Sequence, residues 1–313
     1  MNALAGGNVA AEWNGYLQER LSGDADRGQF SVRRLKAWLI CKDPDGPFAG
    51  RIQALYRSDR AKYPVLQDAY LSFGRGVILL KAGQFVPRFS LQRSQNDAFA
   101  TVLERAMVVD ALIPGAETLA RRVGIETILE DHKSASMLAL GIFNADDMET
   151  PQGSGNLFLT SRCVWGLHFQ GITLHPGMSF ACRRARNVDI HKISGSSELF
   201  SGQDTRWGLE NLIELRKWSV QGEYLQASLG NRIVSGWYVI VEGEIMATDR
   251  VAFSIERFSD LDPATGDDPR IAIICQHLIN RNKNKVKVEL QCNLKYQRES
   301  LFWALQWQYF LLQ

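Results

Sequence analysis

Basic side chains at alternate positions are the residues of this chain best suited to do chemistry. Arg34 and Lys36 share one face of an extended segment, opposite Arg33, Leu35, Ala37 and Leu39. Arg51, Gln53 and Arg57 likewise oppose Ile52, Ala54 and Tyr56, while Lys81 lies in a third such segment and Arg122 in a fourth. Arg88, Arg93 and Arg105 fall in the long connection between those last two. Cations along a narrow path can each hold an anion weakly enough for it to hop to the next. Arginine suits this work because it stays charged and offers a planar fork to phosphate oxygens. The predicted anion path is therefore Arg34, Lys36, Arg51, Arg57, Lys81, Arg88, Arg93, Arg105 and Arg122. Each member has a competing role, which is to neutralise an acid on the same wall, such as Asp68, Glu104 or Glu126.

Other chemistries find less support. His168, His175, His191 and His277 lack ligand spacing, no Ser/His/Asp arrangement sits in a motif, and neither GxxxxGK[ST] nor GxGxxG occurs. The five cysteines Cys41, Cys163, Cys182, Cys275 and Cys292 form no CxxC, and their odd number leaves at least one unpaired. We expect no enzyme, no metal, no cofactor and no disulfide framework. With 36 basic and 34 acidic residues the net charge is +2, so nucleic acid is not an expected partner.

The elements that would carry these side chains are strands. From Val286 to Tyr296 the apolar residues Val286, Val288, Leu290, Cys292 and Leu294 alternate with Lys287, Glu289, Gln291, Asn293 and Lys295. After Gln297 to Ser300 the pattern resumes, with Leu301, Trp303, Leu305, Trp307 and Tyr309 opposite Ala304, Gln306 and Gln308. The polar face carries amides and both signs of charge, which suits a strand that is apolar outside and wet inside. No apolar run approaches the roughly 20 residues of a spanning helix. Segments of the same kind recur along the chain, sixteen in all, with Pro44-Asp45-Gly46-Pro47 and Gly74-Arg75-Gly76 as turns and polar loops at 143 to 157 and 187 to 203.

One stretch changes period. Phe99, Val102, Leu103 and Ala106 fall at helical spacing, with Asp97 as N-cap, so a short amphipathic helix is expected over Asn96 to Met107, ended by Pro114-Gly115. Because it interrupts the strand series and carries Arg88, Arg93 and Arg105, the segment of about 88 to 112 is expected to fold into the lumen.

Several pieces, in order, resemble the phosphate-selective porin O and P family. They are Asp68 to Phe73, Leu80 to Phe85, Phe89-Ser90-Leu91, Leu103 to Ala106 and Val109 to Gly115, then Gly141 to Asn144, Ser219 to Tyr224 and Ser235 to Val239. The likeness runs from about Gly28 to the C-terminus. It implies a single barrel domain over 1 to 313, an all-β, sixteen-stranded antiparallel transmembrane β-barrel with an inward-folded constriction loop. It further implies a homotrimer in the outer membrane of a Gram-negative bacterium, passing inorganic anions such as phosphate among outer-membrane lipid and lipopolysaccharide. Arg183-Arg184-Ala185-Arg186, at a strand end, is expected to face lipopolysaccharide phosphates or solvent, and Tyr56, Phe73, Phe253, Trp303, Trp307 and Tyr309 to form interfacial girdles. The chain departs from that pattern in its cysteines, its ending Tyr309-Phe310-Leu311-Leu312-Gln313 and a Met1 to Gly7 segment that does not read as a signal peptide. Two other readings stand beside the anion-selective one: a barrel without selectivity, and a soluble all-β binding protein whose apolar faces meet in a core.

Overall fold

The structure is a computed structural model that describes residues 9–58, 63–113, 120–145, 156–261, 269–279, 284–294 and 301–312. The helix stop at Pro114-Gly115, most of the loop 143 to 157, the turn at Gln297 to Ser300 and the segment Met1 to Gly7 lie outside the described residues.

Strands dominate, as the period-two pattern requires. They are β1 (Ala10–Gly23), β2 (Gly28–Lys42), β3 (Phe48–Tyr56), β4 (Val65–Arg75), β5 (Ile78–Phe85), β6 (Arg122–Asp131), β7 (Ser136–Asn144), β8 (Leu157–Val164) and β9 (Leu167–Phe169) in the first half. The second half holds β10 (Ile172–Asp189), β11 (Leu199–Leu215), β12 (Trp218–Leu229), β13 (Arg232–Met246), β14 (Asp249–Ser259), β15 (Arg270–Ile279), β16 (Asn284–Asn293) and β17 (Leu301–Leu312). Apart from β8 and β9, each pairs antiparallel with its sequence neighbours, and β1 pairs with both β2 and β17, so the sheet closes on itself. β8 and β9 both pair with β10 and act as one interrupted stave, which makes the barrel sixteen-stranded. Closure leaves no sheet edge with unpaired backbone groups.

The faces are inverted relative to a water-soluble fold. Lys287, Gln306, Gln308 and Glu126 are each 1% exposed inside the barrel, whereas Leu140, Ile142, Ile273 and Leu290 are more than half exposed outside it. The opening alternation of β16 and β17 is therefore realised as read, with Val288 and Leu290 outward and Lys287 and Glu289 inward. This placement excludes the soluble reading, in which those apolar faces would meet in a core. All five cysteines are free thiols.

Short turns such as Gly76-Val77 and Arg216-Lys217 close one end of the barrel, and the long connection between β5 and β6 leaves from the other. That connection folds inward, as expected, but not as the expected helix. Its helical pieces are α1 (Leu91–Ser94) and α2 (Met107–Leu112), and Asn96 to Ala106 between them is irregular. The reason lies in the partners of its backbone. Asn96 closes its own turn onto the Ala98 amide, Gln308 donates to the Ala98 carbonyl, Lys287 to that of Ala100, and Glu289 accepts the Leu103 amide. With the Ala98 and Leu103 amides so engaged, the i to i+4 ladder loses those donors, although the Ala100 amide still donates to the Asn96 carbonyl. Of the residues at helical spacing, Phe99 is 59% exposed and stacks on Phe310, while Leu103 and Ala106 are buried.

α2 fixes the far end of the connection. Val108, Val109 and Leu112 join an apolar cluster with Leu225, Tyr238, Ile240 and Ile193 inside the barrel. Gly236 on β13 makes room, since a Cβ there would stand 2.9 Å from Val108 Cγ2. The expected loop of 187 to 203 is shorter, because β10 and β11 run on to Asp189 and from Leu199, leaving the turn α3 (His191–Ser194) between them.

Candidate functional site

The inward loop is tied to the β11 to β17 wall by carboxylates that accept its backbone amides. Glu223 takes the Gln92 amide at 2.6 Å and the Ser90 hydroxyl at 3.0 Å, Glu256 the Met107 amide at 2.7 Å, and Glu289 the Leu103 amide at 3.3 Å. Three buried arginines of β8, β10 and β11 are matched by acids: Arg162 pairs with Glu210 at 2.5 Å, and Arg183 and Arg206 both pair with Asp204 at 2.8 Å. Arg183 is thus turned inward, contrary to the solvent-facing role expected of the Arg183 to Arg186 cluster, while Arg184 and Arg186 are exposed. With this side filled, the open space lies against β2 to β5.

The wall there is basic. Arg34 and Lys36 point inward as parity requires, and so does Arg33, which parity places outside. The pairing register between β1 and β2 slips by one residue, from Gln18↔Arg34 to Glu19↔Val32, so Arg33 is the extra residue of a β-bulge. Glu104 of the loop receives all three neighbouring arginines: Arg33 Nη2 at 2.6 Å, Arg34 Nη2 at 3.0 Å and Arg20 Nη1 at 2.6 Å. Asp97 receives Lys36 Nζ at 2.7 Å and Arg105. Burial by itself would push these two loop carboxyls up. For Asp97 the ammonium of Lys36 and the guanidiniums of Arg105 and Arg34 outweigh it, and for Glu104 those of Arg34, Arg33 and Arg20 do; both are held well below the usual carboxylate range.

Two adjoining cavities occupy the space left by the loop. The larger, of about 230 Å³, is bordered by Lys36, Arg51, Lys81, Arg88, Arg93, Arg105 and Arg121 but by only two carboxylates, Asp68 and Asp97. The smaller, of about 50 Å³, shares Lys36, Arg93, Arg105 and Arg121 and adds Arg33, Arg34, Arg57 and Lys192, against Asp97, Glu104 and Asp110. Eight of the nine basic residues expected on an anion path therefore border these two adjoining cavities. Arg122 does not reach them: it faces the lumen but is 1% exposed, covered by the chain at Ala145, whose carbonyl accepts from its Nη1 at 3.2 Å. Arg105 lines both cavities and also braces the loop, donating to the carbonyls of Gln92 and Gln95.

The competing role is realised in part. Arg34, Lys36 and Arg105 share the loop carboxylates, Arg51 stands 3.8 Å from Asp68, and Arg88 4.0 Å from Glu126. Arg121 and Lys192 were not legible as site residues. Arg121, which parity sets on the face opposite Arg122, sits one position before β6 and pairs with Asp68 at 3.1 Å. Lys192 belongs to α3, a turn distant in sequence that reaches the loop through the Asp110 carbonyl at 3.2 Å. Gly83 on β5, at φ +132°, lets that strand approach β4, because a Cβ there would lie 2.3 Å from the Ala69 carbonyl. Among the described residues no group of three His, Cys, Asp or Glu side chains is arranged to hold a metal.

A closed sixteen-stranded barrel narrowed by one inward loop is the fold of outer-membrane porins. Solved structures similar to this chain include OmpT of Vibrio cholerae lacking loop L8, with a TM-score of 0.67 at 10% identity over 96% of this chain and 99% of that one. Salmonella typhi OmpF in complex with daunomycin matches with a TM-score of 0.67 at 9% identity over 96% and 97% of the two chains. A mutant porin of Rh. blastica gives 0.66 at 11% identity over 96% and 100%. No protein-family model matches the chain, and no curated protein is similar to it at a significant level.

Proposed function

We propose that this protein is an outer-membrane channel of a Gram-negative bacterium for passive diffusion, with a preference for anions and phosphate among the solutes it passes. The observation that carries this reading is the excess of seven cationic side chains over two carboxylates around the larger cavity. The outward apolar belt of Ile52, Leu71, Ile125, Leu140 and Ile273 supports residence in a bilayer. Trp13, Phe48 and Trp218 near the short-turn end, and Phe30 near the other, are exposed and suit the two interfaces, as do the half-exposed Phe253 and Tyr309. Lipopolysaccharide phosphates are the partner we assign to the exposed Arg184 and Arg186. A homotrimer is the assembly we favour, in keeping with a similar OmpT structure described as a trimer form. In this reading the whole barrel works as one unit, with residues 88 to 112 as its constriction, and needs neither catalysis nor a cofactor.

The pairing of Asp97 and Glu104 with wall cations favours a second reading, a barrel whose charges cancel and which does not select. A reversal potential across a planar bilayer under a KCl gradient separates the two. Anion preference is the expected result, with low-millimolar phosphate reducing the chloride current and Arg105→Ala lowering the preference. A reversal potential that favours potassium in the parent protein overturns the selective reading.

A further inference from the structure

Lys81 is held by rings rather than by an acid. Its ammonium stands 4.5 Å from the ring centre of Tyr70 and 5.1 Å from that of Phe85, and among the described residues no carboxylate oxygen lies within 4.0 Å of it. Arg51 also lies against a ring, with its guanidinium carbon 5.2 Å from the centre of a Trp38 ring, while its Nη2 donates to Gln53 Oε1. Its one carboxylate neighbour, Asp68 at 3.8 Å, is nearer to Arg121. An aromatic face orients a cation through its quadrupole without cancelling the charge, as a carboxylate would. Both side chains are thus positioned and still able to take an anion.

The same cavity has an apolar wall. Phe85, Val86 and Pro87 border it together with Trp38 and Tyr70, and its volume is about 230 Å³. A cavity of roughly 150 Å³ accepts benzene. A small hydrated anion would use the cations and leave the aromatic wall wetted. A planar aromatic acid would satisfy both, with its carboxylate on the two cations and its ring removed from water.

We propose that this chamber is a saturable binding site for small aromatic carboxylates, in which Lys81 and Arg51 take the carboxylate and Trp38 and Tyr70 flank the ring. The proposal rests on the anion-channel reading for access to the site, but binding itself can be measured without transport. The test is isothermal titration of the purified barrel in detergent with benzoate and, separately, acetate. Burying one ring implies that benzoate binds about tenfold or more tightly than acetate. Lys81→Met should weaken both ligands, whereas Trp38→Ala should weaken benzoate alone and Trp38→Phe should restore it. Equal affinity for benzoate and acetate overturns the aromatic class, and undiminished benzoate binding in Lys81→Met overturns the site. If Lys81→Met does not fold, the Trp38→Ala and Trp38→Phe pair decides, because a ring that makes no difference is incompatible with the chamber. Bilayer reversal potentials keep the two readings apart: tight benzoate binding with cation preference leaves the site and removes the anion channel, while anion preference without tighter benzoate binding does the reverse.

Discussion

Arg33 and Arg34 are consecutive in β2, yet both donate to Oε2 of Glu104, at 2.6 and 3.0 Å. Strand geometry sends neighbouring side chains to opposite faces, and only the bulge opposite Gln18 and Glu19 turns both inward. Together with Arg20 they surround Glu104, one of two carboxylates, with Asp97, that the middle of the loop presents to this wall.

Replacing Glu104 with glutamine should remove the negative charge that three guanidiniums share while keeping a side chain able to accept hydrogen bonds. A unit charge acts on an ion at 4 Å with about 1 kcal/mol in water-like surroundings, so the anion-to-cation permeability ratio should rise by up to about fivefold. Reversal potentials of parent and Glu104→Gln measured side by side test this, and an unchanged ratio would show that Glu104 does not face the passage.

The hold of Asp97 and Glu104 on the wall cations should persist well into acid. Asp97 and Glu104 lie in the loop, outside the spanning strands, and both carboxyls titrate lower in the folded protein than in the unfolded chain. Their contribution to holding the loop is therefore fully present above the unfolded value of about 4 and is lost only as pH falls through the lower folded values. The difference in single-channel conductance between parent and Glu104→Gln should stay constant from neutral pH to about 4. A difference that disappears between pH 6 and 5 would contradict the assignment.

Deleting the loop segment between α1 and α2 should enlarge the passage. The wall is complete without it, because every stave pairs with its neighbours independently of the loop. Conductance should increase and the anion preference should fall, since Arg105 leaves with the segment. A deletion variant with parental conductance would place the narrowest point elsewhere.

Leu140, 51% exposed near the middle of β7, should be intolerant of charge. An arginine there would sit in hydrocarbon and destabilise the barrel by about 2–4 kcal/mol. Urea titration of parent and Leu140→Arg in lipid vesicles gives the difference directly. A loss below about 0.5 kcal/mol would be the ordinary effect of a substitution at a water-exposed surface, and would remove the bilayer from around β7.

The chain's alternation determined the barrel. A period of two assigns every residue of a strand to one of two faces, so the outward Val288 and Leu290 and the inward Lys287 and Glu289 were legible without coordinates, as was the recurrence of such strands sixteen times. The same rule placed Arg34, Lys36, Arg51 and Lys81 on the lumen side. It failed where the backbone leaves the repeat. Arg33 turned inward because a bulge inserts one residue, and Arg121 and Lys192 joined the site from positions just outside the strands. The segment Asn96 to Met107 kept its helical spacing but not its helix, because Glu289, Lys287 and Gln308, about 190 to 210 residues away in sequence, took up its amides and carbonyls. Arg122 showed the converse, with the right face but a covered position. Local periodicity decides which way a side chain points; whether it meets water, an acid or a ring depends on contacts between distant segments, which exist only once the barrel has closed around its loop.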